Sequence, residues 1–440
     1  MSKLFAGFSC IDISPEESVP LAGFGKTSER MSQGVLDPLH ARCLALSDDS
    51  GSTVLVLVMD LSNMYSPLPS MREDVSRATG LPVERIMFCC THTHSAPHLS
   101  NEDEPSIPRY CDMLRQRLVQ AAQEALADRK ESTLSVGSAQ TESLNFVRRY
   151  VLEDGTYAGD NYGHFKQSPI AGHETEPDRT LQVVKFTREG GDDLILANFQ
   201  GHPHRGAKDN YYLATSDLVY HFRKKLEGET GCRVLYYSGS SGNVNCHSRI
   251  PEENITADYV EHGHRLADYA LEALKELRPV NAGPVRNLKL MYEGICNHTE
   301  DHKVEQAKIV VERWKSGMKS KAAREGFLDI INSPYHAQSI ITKSTRPATM
   351  DVEINGIAFG DVAMVFAPFE LFSDLGLAIK ENSPFAMTFV CCYANRIFSY
   401  MPTQLGFDHG GYGPNQCRFV PGTGEILVEK FGQILNELKV

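Results

Sequence analysis

Thr53-Val-Leu-Val-Leu-Val-Met-Asp60 and Ile86-Met-Phe-Cys-Cys-Thr-His-Thr-His-Ser95 are the two stretches on which the fold turns. Each is a continuous apolar, β-branched or sulfur-rich run without polar alternation, which predicts a strand buried on both faces. Between them, Ser70 is placed to cap a helix with Glu73 three residues on, and Gly80 is placed to end it before Leu81-Pro82. Strand, helix, strand is a βαβ unit, with parallel strands and a right-handed crossover. Asp60 and the pair His92 and His94 then fall at the carboxyl ends of neighbouring strands, where open α/β sheets gather their ligands.

The pattern repeats downstream. Leu194 to Phe199 predicts another buried strand and leads into Gln200-Gly-His-Pro-His204, and Leu218 to Leu226 reads as a helix. Arg233 to Tyr237 is a strand that enters the small-residue loop Ser238-Gly-Ser-Ser-Gly-Asn243. Helical spacing marks Tyr110 to Leu126, Thr256 to Leu277 and, more charged, Asp301 to Trp314. Met350 to Ile354 and Ile357 to Phe359 flank Asn355-Gly356, which predicts a hairpin turn there. Val362 to Ala367 leads to Glu370, and Met387 to Cys392 leads to a Gly-rich aromatic loop, Asn395 to Gly424, before a last helix. No repeat or long linker divides the 440 residues. The expectation is one α/β domain of mixed β-sheets, with parallel βαβ units flanked by helices.

With 44 Lys and Arg against 56 Asp and Glu, the formal net charge is -12, which argues against a nucleic-acid partner and against an anionic membrane surface. The N-terminus lacks a secretory apolar run and no run is long enough to span a bilayer, so the expected location is cytoplasmic, without stable membrane association. Most of the 11 cysteines, with the vicinal pairs Cys89-Cys90 and Cys391-Cys392 in apolar strand-like runs, are expected as reduced core thiols.

The 16 histidines are the informative count, because imidazole is the commonest metal ligand and general base. Residues two apart in an extended segment point the same way, so His92 and His94 can share a site. Two surface histidines would fit that motif equally well. The second cluster, His202 and His204, shifts the reading toward a metal, since a catalytic zinc draws three or four ligands from separate segments.

At this point the chain resembles the catalytic domain of the neutral/alkaline, non-lysosomal ceramidases, which are zinc-dependent amide hydrolases. Seven landmarks carry the resemblance in order: Ala6-Gly-Phe-Ser-Cys10-Ile-Asp12-Ile-Ser-Pro15, Leu21-Ala-Gly23-Phe-Gly25, Thr91-His-Thr-His-Ser-Ala-Pro97, Asn198-Phe-Gln-Gly-His-Pro203, Ser240-Ser-Gly-Asn-Val244, Ala367-Pro-Phe-Glu370 and Tyr400-Met-Pro-Thr403. The family's additional C-terminal immunoglobulin-like domain is not expected here. The resemblance implies that His92, His202, Glu370 and Tyr400 hold zinc at one site. It implies His94 as general base or acid, and Tyr412 with Arg149 or its neighbour Arg148 as stabilisers of the oxyanion. Outside that pattern, Glu370 reads as a first-turn carboxylate favoured by a helix dipole.

One departure bears on mechanism. The family's loop reads Gly-Asp-Val-Ser-Pro-Asn, with its Ser the nucleophile, whereas this chain has Gly242-Asn-Val-Asn245-Cys246-His247. An amide cannot attack a carbonyl, so the expected route is metal-activated water, with His94 moving the proton and Asn245 orienting the water or the substrate. Ser240, Ser241 and Cys246 are the side chains able to replace the lost serine. Asp60 is expected to accept a ring N–H from a ligating histidine, and Asp217 to cap a helix. His98, His204 and His247 are expected to line the same cleft, where a second metal is also conceivable. His262 and His264 are expected to be packed or solvated. The expected function is hydrolysis of a non-peptide amide C–N bond in a small soluble substrate, by a chain that can form a homo-oligomer, with the Phe407 to Gly413 loop covering the site. An ester hydrolase, an amidohydrolase barrel and a non-catalytic metal- or ligand-binding protein are the competing readings. The hairpin-rich last third fits a barrel poorly.

Overall fold

The computed structural model describes residues 2–24, 30–159, 168–206 and 210–440, so Gly25 of the predicted glycine turn lies outside the described residues. The decisive run behaves as its composition requires. In the strand Thr53–Met59, Val54, Val56 and Val58 point into one hydrophobic cluster, while Leu55, Leu57 and Met59 point into another. Both faces are dry, which is why no polar residue interrupts the run.

This strand belongs to a nine-stranded mixed sheet. Its edges are parallel pairs: Thr53–Met59 with Ile86–Cys90 at one end, and Leu194–Phe199 with Arg233–Ser238 at the other. The long antiparallel strands Leu4–Asp12, His40–Asp48, Lys130–Gln140 and Thr180–Arg188 lie between them. A second, four-stranded sheet pairs Val285–Ile295, Thr349–Phe359, Val362–Phe366 and Met387–Cys391, the last two in parallel. One face of each sheet supplies a shared apolar layer, in which Val54, Val56 and Leu196 meet Ile357, Met364 and Phe389. Helices close the outer faces. Pro67–Thr79 and Ser106–Ala127 cover one side of the large sheet near its His92 edge, Leu218–Thr230 and Tyr259–Lys275 cover the other edge, and Ser373–Glu381 and Thr423–Lys439 cover the small sheet. The expected mixed α/β architecture is observed.

Two local expectations need correction. The first helix begins at Pro67, after Ser66, because proline is pre-set for a first helical position, so Ser70 lies inside the helix. Asn355-Gly356 is not a turn: Thr349–Phe359 is one continuous strand, and the chain reverses at Gly360-Asp361 instead. Gly356 is there for close packing, since a Cβ would come within 2.4 Å of Ile434. All 11 cysteines are free thiols, and Cys89, Cys90, Cys391 and Cys392 are buried. Among the described residues, no helix is long and apolar enough to cross a membrane.

Candidate metal centre

Three parallel strand pairs, each bridged by a helix, end near one another, and His92, His94, His202 and Glu370 follow strands of those pairs. His92 and His94 follow Ile86–Cys90, and His202 follows Leu194–Phe199. Glu370 follows Val362–Phe366 and forms a two-residue parallel bridge in which it stands directly opposite Tyr400. His92 adopts a left-handed backbone (φ 66°), as does Tyr393 (φ 54°) after Met387–Cys391. Such conformations persist in non-glycine residues only where the surroundings enforce them. The two rings stack at 3.9 Å and 9°.

The imidazoles converge. Nε2 of His94 lies 2.9 Å from Nε2 of His202 and 3.3 Å from Nε2 of His92, which in turn lies 3.6 Å from Oε2 of Glu370. Two of these rings have fixed tautomers. Nδ1 of His92 faces the Ser62 carbonyl oxygen at 2.6 Å, and Nδ1 of His202 faces that of Ser241 at 3.3 Å. A ring nitrogen pointing at a carbonyl must carry the proton, so both Nε2 atoms turn bare lone pairs into the cluster. A single His94 N–H can satisfy only one of them, and among the described residues Oε2 of Glu370 has no hydrogen-bond partner. Acceptors crowded against acceptors repel unless a cation lies among them. Tetrahedral nitrogen and oxygen ligands around zinc at about 2.0 to 2.2 Å stand about 3.3 to 3.6 Å apart, a range that holds the spacings of 3.3 and 3.6 Å about Nε2 of His92. Carbonyl-anchored Nδ1–H groups are also the usual outer support of metal-binding imidazoles. The residues therefore fit a divalent metal on this structure's own geometry.

Burial sets the electrostatics. It pushes His92 down to about 3 and His94 and His202 well below the usual imidazole range, so all three are neutral and able to ligate. It pushes the Glu370 carboxyl up to about 7, against the pull of the Arg148 guanidinium. Tyr400 is also raised by burial. Arg148 donates through Nη2 to the Gly242 carbonyl at 2.8 Å and to the Tyr400 hydroxyl at 3.2 Å. Arg149 is engaged elsewhere: Nη2 meets Glu174 at 2.9 Å and Nη1 meets the Gly410 carbonyl at 2.7 Å, which ties down the glycine loop. Arg148 is thus the arginine brought to Tyr400 and Glu370. Tyr412 packs edge-on against Tyr400 at 5.4 Å, and Arg148, Arg149, Phe372, His409 and Tyr412 line a small cavity of about 30 Å³ walled also by Gly410, Gly411 and Gly413. The predicted covering loop is therefore part of the pocket wall.

The remaining predicted residues fall as follows. Asn245 is buried in the two-residue strand Val244–Asn245, paired with Phe146–Val147, on the loop that supplies the Ser241 carbonyl to His202 and the Gly242 carbonyl to Arg148. Gly242 approaches Glu370 so closely that a Cβ would come within 2.3 Å of its carbonyl oxygen. Ser240 and Ser241 are turned to other partners, the Cys392 sulfur at 3.7 Å and the Tyr393 hydroxyl at 3.0 Å. Burial pushes the Cys246 thiol up to about 12, far from a reactive thiolate. Asp217 is the N-cap expected of it, accepting from the Leu218 amide. Asp60 does not support a ligating histidine. Its carboxylate takes Arg223 through both oxygens, at 3.0 and 2.5 Å, together with the Thr91 hydroxyl, and the backbone carbonyls of Ser62 and Ser241 fill the role expected of Asp60. His204 lies against His202 with ring centroids 4.9 Å apart, and His247 stacks on His204 at 5.3 Å, whereas His98 packs on Tyr65. His262 is buried in its helix.

Two contributors escaped the sequence reading. Tyr393 follows a buried strand just as the histidines do, and that shared position was its signal. Gly23, at φ 103°, lies where a Cβ would come within 2.3 Å of His94, and Phe24 meets the His94 ring at 5.2 Å. The Gly23-Phe24 segment therefore seats the His94 imidazole.

No protein-family model matches the chain, and no curated protein sequence does. Solved structures do. The neutral ceramidase from Pseudomonas aeruginosa superposes with a TM-score of 0.71 at 16% identity, over 100% of this chain and 75% of that one. A ceramidase complexed with C2 superposes with a TM-score of 0.71 at 17% identity, over 100% of this chain and 76% of that one. Likeness over the whole length at so low an identity is a statement about architecture, and this chain has the fold of the neutral ceramidases.

Proposed function

We propose that this protein is a metal-dependent hydrolase, with zinc the best-matched ion, that cleaves a non-peptide amide bond of a small soluble substrate with water as the nucleophile. The observation that carries the reading is the convergence of lone-pair-bearing atoms from His92, His202 and Glu370 about the His94 ring, with Tyr400 opposite Glu370. A divalent ion held there would supply Lewis acidity and lower the pKa of water toward neutrality.

The protein's own groups divide the remaining work. His94 sits within hydrogen-bond distance of the other two imidazoles, yet its Nδ1 lacks the carbonyl anchor that fixes theirs. It is the ring free to take the proton from attacking water and return it to the leaving nitrogen. Arg148 and Tyr412, which line the cavity beside Tyr400, would stabilise the negative charge that develops on the acyl oxygen. Asn245, at the position of the family's nucleophilic serine, orients water or substrate instead of attacking. The ceramidase likeness supports an amide as the bond broken.

The test uses purified, zinc-loaded protein against N-acyl amines, N-acyl amino sugars and esters. Turnover of an amide that disappears on chelation and returns with metal is expected. His202→Ala should lose metal and turnover together, whereas His94→Gln should keep the metal and lose turnover. Full metal occupancy with no turnover of any amide, or turnover indifferent to chelation, overturns the reading.

A further inference from the structure

A second set of ligand-type side chains stands behind the first and takes no part in the chemistry above. His204 lies two residues beyond His202, and Cys246 and His247 follow Asn245. Among the described residues, one ligand atom from each of His204, Cys246 and His247 lies within 4.8 Å of the other two. The Cys246 sulfur is 3.7 Å from Nδ1 of His204, close to the edge of about 3.5 Å between sulfur and nitrogen on tetrahedral zinc, given Zn–S of about 2.3 Å and Zn–N of about 2.0 to 2.1 Å. The His204 and His247 rings lie nearly parallel, with centroids 5.3 Å apart. Cys246 is buried, while both imidazoles are only half-buried, which leaves a side open for a fourth ligand. The nearby carboxylate of Asp217 is already used, accepting from the amides of Leu218 and Gly206.

We propose that His204, Cys246 and His247 form a second metal site, distinct from the His92, His202 and Glu370 centre, that takes zinc through two imidazoles and one thiolate. The donor set selects the ion: sulfur and nitrogen suit zinc and exclude magnesium and calcium, which take oxygen. Binding converts the Cys246 thiol to a thiolate and releases its proton to solvent. Ligation through Nδ1 of His204 exchanges that nitrogen's 2.8 Å contact with the His202 carbonyl for a metal bond. The two sites would then be coupled through a single Gly-His-Pro-His segment.

Cobalt(II) is the probe, because thiolate ligation gives a near-ultraviolet charge-transfer band that imidazole and carboxylate ligation do not. Metal-free protein titrated with cobalt should take two equivalents per chain and develop that band. Cys246→Ser should lose the band and one equivalent, while His202→Ala should lose the other equivalent and keep the band, so failure here is distinguishable from failure of the first site. A second measurement needs no variant: in unmodified protein, zinc should protect Cys246 from alkylation, as mapped by peptide mass. One equivalent without the band, a band that survives Cys246→Ser, or equal alkylation of Cys246 with and without zinc overturns the site.

Discussion

Asp60 and Glu370 are both buried carboxylates that leave the carboxyl ends of central strands, and the fold treats them in opposite ways. Burial alone would push the Asp60 carboxyl up, but the Arg223 guanidinium outweighs it and holds the group below the usual carboxylate range. Arg223, Thr91 and the His40 amide saturate its oxygens. At Glu370 burial wins, and among the described residues one oxygen has no hydrogen-bond partner while Nε2 of His92 stands 3.6 Å from it. The difference separates structural charge from functional charge. A polar group kept for stability is matched by the protein itself, whereas one kept for a ligand is left unmatched until the ligand arrives.

The largest effect should come from breaking the matched member. Asp60→Ala strands Arg223 in the core, and loss of one partner of a buried pair costs about 3–5 kcal/mol. Urea unfolding should show that loss, while metal content of the folded fraction stays at the wild-type level. A change below about 1 kcal/mol would mean that the Asp60 cluster is not the structural clamp described here.

Much of this arrangement was legible in the chain, because a strand with two dry faces must be an uninterrupted apolar run, and such a run makes its first polar residue conspicuous. The histidine pairs His92 and His94, and His202 and His204, stood out that way, whereas Glu370 and Tyr400 were drawn into the set only by the ceramidase resemblance. What sequence could not carry was contact between distant segments. Asn355-Gly356 has turn chemistry, yet the helix Thr423–Lys439 lies against Gly356 and holds the pair extended. Asp60 looked like a partner for a ligating imidazole until Arg223, from a helix 163 residues away, claimed it. Arg148 and Arg149 are neighbours whose side chains diverge, one toward Tyr400 and one toward Glu174, and only the fold tells them apart.

The unmatched member should respond with the opposite sign. In metal-free protein the folded Glu370 carboxyl ionises near 7 against an ordinary 4.5, so between those pH values the folded state holds a proton that the unfolded chain has released. Stability from this group is full below pH 4.5 and is lost as pH rises to 7, by about 3 kcal/mol. The depressed imidazoles of His92, His94 and His202 act the other way, destabilising as pH falls below 6.5, so the variant must be compared with wild type at each pH. Chelator-treated Glu370→Gln should match wild type near pH 4.5 and exceed its stability by up to about 3 kcal/mol above pH 7. Equal stability at both ends would show that Glu370 is already matched.

The smallest effect sharpens the comparison within one dipeptide. Arg148→Lys keeps a positive charge near Glu370 but loses the planar fork that reaches the Gly242 carbonyl and the Tyr400 hydroxyl together. Turnover of an amide substrate should fall by about 10- to 100-fold, or about 1.4 to 2.7 kcal/mol, with KM little changed if the lost interaction belongs to the transition state. Arg149→Lys breaks the fork on Glu174 and loosens the Gly406 and Gly410 carbonyls, so it should move KM and thermal stability more than kcat. If the two variants exchange these signatures, it is Arg149 that faces the reacting acyl group, and the cavity wall must close differently around substrate than it does in the free protein.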